Sequence, residues 1–128
     1  MERLNERLAQ ADHALLLEEQ EVNTVIRDAA IQRFESSYEA VWKAAQRYLR
    51  VIEGIEEGLP KAVTRACVRT GILRVDDGRV ALAMVDDRNL TSHTYNKSLA
   101  EKIYRSLPEY ARLMRRWLET IGARVESV

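Results

Sequence analysis

Apolar residues recur in this chain at helical spacing almost throughout. From Met1 to about Gln20, Leu4, Leu8, Ala11 and Leu15 follow one another every three or four positions between charged residues. The pattern predicts a first helix with one apolar stripe and solvated remaining faces. Asn23 or Thr24 stands where it can cap a second, longer helix. Along it Ile26, Ala30, Phe34, Tyr38, Val41, Ala45, Tyr48 or Leu49, and Ile52 keep the same spacing. Gly54, Gly58 and Pro60 in "EGIEEGLP" close that helix and open a third, short one over 60–70, which Gly71 ends. "VDDG" at 75–78 reads as a turn and "RVALAMVDDRNL" as a fourth helix.

After Tyr95, Asn96 or Ser98 can cap a fifth helix, with Ser98 and Glu101 spaced as a capping box. Leu99, Ile103, Leu107, Tyr110, Leu113, Met114, Trp117 and Ile121 supply its apolar side. Pro108 falls inside this run and is expected to kink or divide it near Leu107, because proline has no backbone donor. "GILRV" and "GRVAL" around "DDG" are the nearest approach to a hairpin, and neither has the length of a convincing strand. The expected architecture is all-α, an antiparallel up-and-down bundle of four to five helices forming one domain over residues 1–128.

Composition narrows the class. With 46% hydrophobic and 31% charged residues, five Gly and two Pro, the chain has the make-up of a helix-rich soluble globular protein. Its formal net charge is zero, which argues against nucleic-acid binding by overall charge. The charge is unevenly placed, however. Residues 1–28 carry seven acids against three Arg, whereas 102–117 carry Lys102, Arg105, Arg112, Arg115 and Arg116 against Glu109 alone. These ends can pair with each other or leave a basic face. Cys67 is the single cysteine, so no internal disulfide can form, and no Cys/His cluster has metal-ligand spacing. The apolar runs are short and the first residues charged, so a soluble, cytoplasmic protein is expected.

"DDRNLTSHTY", residues 86–95, is the densest polar stretch. On a helix Arg88, Thr91 and Tyr95 share one face, and Asn89 and His93 another. An imidazole can move protons and a guanidinium can stabilise charge on a phosphorane, so Arg88 and His93 together could cut RNA without a metal. The same residues also fit a structural role, with His93 at a helix end and Tyr95 as a half-buried aromatic. Glu35 and Glu39, one turn apart, could be a carboxylate pair, but a solvated face explains them too.

Three stretches, "RDAAIQRFESSYEAVWKAAQRYL" (27–49), "LPKAVTRACVRTGIL" (59–73) and "DDRNLTSHTYNKSLAEKIY" (86–104), resemble in order and spacing the nucleotidyltransferase substrate-binding protein family, within the HEPN superfamily. The resemblance implies a dimerising helical bundle, partnered by a minimal nucleotidyltransferase encoded nearby. It also implies that Arg88 and His93 form a metal-independent endoribonuclease centre of a toxin and antitoxin pair. Tyr95 would then be the residue the transferase silences with AMP, and Asn89, Thr91 and Ser92 would position RNA or a nucleotide. No cofactor or metal is implied. The substrate-binding name implies a different role, in which the same residues hold a substrate for the transferase and cut nothing.

Overall fold

The computed structural model describes residues 2–93 and 96–128, and the side chains of all of these except Glu2, Ser92 and His93. Among the described residues the chain is all-α. Helix α1 (Glu2–Tyr48) runs into a π-helical turn (Leu49–Glu53), followed by α2 (Pro60–Arg69), α3 (Val75–His93) and α4 (Lys97–Glu126). No strand forms among these residues.

The two helices expected before Gly54 are one helix of 47 residues, about 70 Å long at 1.5 Å per residue. Thr24 does not cap, because its Oγ1 donates backwards to the carbonyl of Gln20 at 2.9 Å. A cap would instead accept a bond from an N–H ahead of it. With no Gly or Pro between residues 2 and 53, nothing breaks the backbone ladder. The helix nevertheless divides by environment. Residues 3–26 are exposed throughout, while Ile31, Phe34, Tyr38, Val41, Trp42, Ala45 and Tyr48 are buried.

The π-helical turn ends at Gly54, whose φ of 70° needs a residue without Cβ. Pro60 occupies the first turn of α2, as expected. "VDDG" is the first turn of α3 and not a connection, with Asp76 and Asp77 where the helix dipole favours acids. Asn96 caps α4, its Oδ1 accepting from the N–H of Leu99 at 2.8 Å. Ser98 lies inside the helix, so the capping box does not form. Pro108 neither divides nor ends α4, which is continuous over Lys97–Glu126. The carbonyl it leaves without its helical donor is that of Tyr104, one turn back, an exposed residue.

Cross-helix pairs fix the helix directions. Asp77 meets Arg116 and Asp87 meets Tyr110, so α3 and α4 are antiparallel. Lys61 meets Asp86, and Gly78 packs against Val68, which makes α2 and α3 antiparallel too. Helices α1 and α4 ascend together, through Arg27 with Glu101, Phe34 stacked on Tyr110 and Glu53 with Arg124. The segment 54–59 allows this by returning along α1, where Gln46 Nε2 holds the carbonyl of Glu57 at 2.8 Å. The core joins all four helices. Trp117, Leu113, Ile103, Leu49, Val63, Cys67 and Met84 are each fully enclosed.

Candidate functional site

Residues 86–93 of the polar stretch form the last turns of α3. Their position follows from how closely α3 meets α2. Gly78 is buried, and a Cβ there would stand 2.5 Å from Val68 Cγ2. Asp86 forms an ion pair with Lys61 of α2 at 2.8 Å, which links the two helices.

Asp87 is 4% exposed and accepts a 2.5 Å bond from the hydroxyl of Tyr110 in α4. Lys102 Nζ stands 3.6 Å from its other oxygen. A buried carboxylate is sustained by such partners, and this one fixes α3 to α4 at the residue before Arg88. Tyr110 stacks on Phe34 with ring centroids 5.4 Å apart. Burial, and then the bond to Asp87, push its phenol well above the usual tyrosine range.

Arg88 is half-buried and faces α1, close enough to Tyr38 and Glu39 for its charge to favour ionisation of both. Glu39 accepts a 3.0 Å bond from Trp42 Nε1 and pairs with Lys43 at 3.1 Å. The bond from Trp42 is the largest influence holding its carboxyl below the ordinary value. Glu39 is therefore engaged with Trp42 and Lys43, and not with Glu35 as a carboxylate pair. Asn89 is exposed. Thr91 uses its hydroxyl within the helix, donating to the carbonyl of Arg88 at 2.8 Å. Residue 93 ends α3, but the side chains of Ser92 and His93, and the whole of Tyr95, lie outside the described residues.

An open cleft of about 810 Å³ lies between the root of the exposed arm and the start of α4. Gln20, Thr24 and Arg27 form one wall and Lys97, Glu101 and Tyr104 the other. Arg27 is held there by Asp28 at 3.5 Å and Glu101 at 3.9 Å. Lys97 opens α4 and stands two residues beyond Tyr95, so cleft and polar stretch are contiguous in the chain. The walls carry Glu21 and Glu101 as well as Arg27 and Lys97, so the cleft is of mixed charge, with cations that can meet a phosphate and one tyrosine ring beside them. Among the described residues no group of three or more His, Cys, Asp or Glu is arranged to hold a metal ion.

Sequence reading misses Tyr110, Lys102, Glu39 and the cleft residues Arg27, Lys97 and Tyr104 as parts of this region. Tyr110 and Lys102 carry a weak signal, since α3 holds a carboxylate at Asp87 on the side of its apolar residues. Arg27 and Lys97 line one cleft from positions 70 apart in sequence and carry none.

These features define a class: an all-α protein with an arginine-led polar stretch on the last turns of one helix and an open cleft of mixed charge at the start of the next. The sequence model of the family described as "nucleotidyltransferase substrate binding protein like" matches residues 1–123, and the chain belongs to that family. It is also similar to a protein of Thermus thermophilus known from a crystal structure. The two are 57% identical over 74% of this chain and 80% of that one, with a TM-score of 0.72. None of the curated proteins compared matches the chain.

Proposed function

We propose that the protein is the substrate-binding subunit of a two-component nucleotidyltransferase, acting in the cytoplasm with a minimal transferase as its partner. The family match over residues 1–123 carries this reading, since it takes in the polar stretch and every helix around it. The cleft supports it. Arg27 and Lys97 would hold phosphate and Tyr104 would support a base there, and Arg88 with Asn89, on the last turns of α3, would offer further contacts to the substrate. Thr91 donates its hydroxyl proton to the carbonyl of Arg88 and keeps its acceptor lone pairs, so Asn89, Thr91 and Ser92 would be the positioning groups.

The intact spacing of Arg88, His93 and Tyr95 favours a second reading. In it Arg88 and His93 cleave RNA as a toxin, two copies combine their motifs in a homodimer, and the transferase adds AMP to Tyr95. One experiment separates the two. The chain is expressed with and without its transferase, and growth, RNA integrity and intact mass are followed for wild type, Lys97→Ala, His93→Ala and Tyr95→Phe. The binding reading expects intact RNA and normal growth in all cases. It also expects nucleotide transfer by the pair to weaken on Lys97→Ala. Degraded RNA that His93→Ala restores, with a Tyr95-dependent mass gain of one AMP on co-expression, would establish the toxin instead.

A further inference from the structure

We infer that the groove between α2 and α3 is a docking site for an acidic helix of a partner protein, with an apolar side chain seated in the groove and carboxylates on the arginines around it. The groove is a product of Gly78. Having no side chain, this residue lets α3 come so close to α2 that a Cβ would stand 2.5 Å from Val68 Cγ2. One turn to either side along α3, Val75 and Leu82 carry full side chains, and a hollow of about 240 Å³ is left among them. Thr64 also lines it, with its hydroxyl proton already donated to the carbonyl of Pro60 at 2.8 Å. Val75 is 61% exposed. The volume lies below the roughly 300–1,000 Å³ of small-molecule sites, and it suits one or two apolar side chains.

Charge selects the occupant. Arg65 and Arg69, one turn apart on α2, and Arg79 on α3 complete the lining, which includes no acid. All three are exposed. Arg69 reaches Glu57 only at 4.0 Å and Arg79 reaches Asp76 at 3.7 Å, and surface pairs of this kind are too weak to keep a guanidinium from a better-placed carboxylate. Residues four apart on a helix lie about 5–6 Å from each other. Two acids at that spacing on a partner helix therefore match Arg65 and Arg69, while an apolar residue of the same face enters the groove, as in helix-in-groove recognition. RNA fits less well, because three cations in a chain of zero net charge hold few phosphates and a mainly apolar floor has little with which to bond a base edge. The groove shares no residue with the cleft, so this partner is separate from the cleft's substrate.

The test uses the full chain and a fluorescent, end-capped helical peptide with leucines and glutamates on one face at i, i+4 spacing, titrated by anisotropy. Saturable binding is expected, weakened about tenfold by Arg65→Glu combined with Arg69→Glu. Changing the peptide's leucines to alanine should cost as much. Val75→Asp should also weaken binding about tenfold, and it keeps the fold because an acid in the first turn of α3 suits the helix dipole. The near-ultraviolet signal of Trp42 and Trp117, both buried, should be the same in every variant. A peptide with lysines in place of its glutamates should reverse the order and bind the doubly substituted chain more tightly than wild type. Absence of saturable binding up to about 1 mM peptide would overturn the inference, as would binding indifferent to these substitutions. Equal binding of the alanine peptide would overturn the groove as the anchor. An RNA oligonucleotide that binds more tightly than the peptide and displaces it would overturn the protein partner and assign the surface to nucleic acid.

Discussion

Tyr110 and Asp87 join the two helices that flank the polar stretch, and their bond is the residue-scale contact on which Arg88 depends for its position. Tyr110→Phe keeps the ring on Phe34 but leaves the buried carboxylate one partner short. It should cost about 2 kcal/mol of stability, the range for a hydrogen bond to a charged group. Asp87→Asn, which can still accept from the phenol, should cost about 1 kcal/mol. Urea midpoints of the single and double variants would measure the coupling as a cycle. Cys67 makes a separate prediction. Burial pushes its thiol from 9.0 up to about 11, and burial likewise raises Tyr38, whose hydroxyl has no hydrogen-bond partner among the described residues. A raised folded value means that the unfolded chain releases its proton first. Stability is then fully present below pH 9 and falls as pH rises towards 11, by on the order of 2 kcal/mol for the thiol. Cys67→Ala should flatten the first part of that fall, and Tyr38→Phe the part beyond pH 10, in urea unfolding from pH 8 to 11.

Among the helices, Gly78 is the position where identity controls approach. A methyl group there would meet Val68 Cγ2 at 2.5 Å, and valine is stiff at χ1 and cannot swing clear. Gly78→Ala should therefore destabilise by about 1–2 kcal/mol despite the helix propensity it gains. In a Val68→Ala background the same change should be neutral or favourable, as thermal midpoints would show. This contact explains why the sequence misreads "VDDG". Glycine normally marks a turn, and only the facing valine makes it a packing residue. The same distinction separates what is legible in this chain from what is not. The periodic stretch from Ile31 to Leu49, Pro60 at the start of α2, Gly71 after its end and the cap at Asn96 depend on near neighbours and can be read directly. The parallel course of α1 and α4, the passage of α4 through Pro108 and the pairing of Arg27 with Glu101 depend on distant packing. Arg88 is likewise legible as a candidate from its spacing to His93 and Tyr95, whereas its neighbours Tyr38 and Glu39 come from another helix.

At the scale of the whole molecule, burial divides α1 into an exposed arm and a body segment with different sources of stability. The body segment is held by the core, whereas an isolated helix of some 25 residues is marginal in water without a packed face. Mild denaturant should expose the division. As urea rises, the circular dichroism of the arm at 222 nm should fall first, by up to about a fifth if 25 of the 128 residues lose their helix. The near-ultraviolet signals of Trp42 and Trp117, both buried in the body, should stay constant through that first step. A joint loss of both signals would mean that arm and body unfold as one unit.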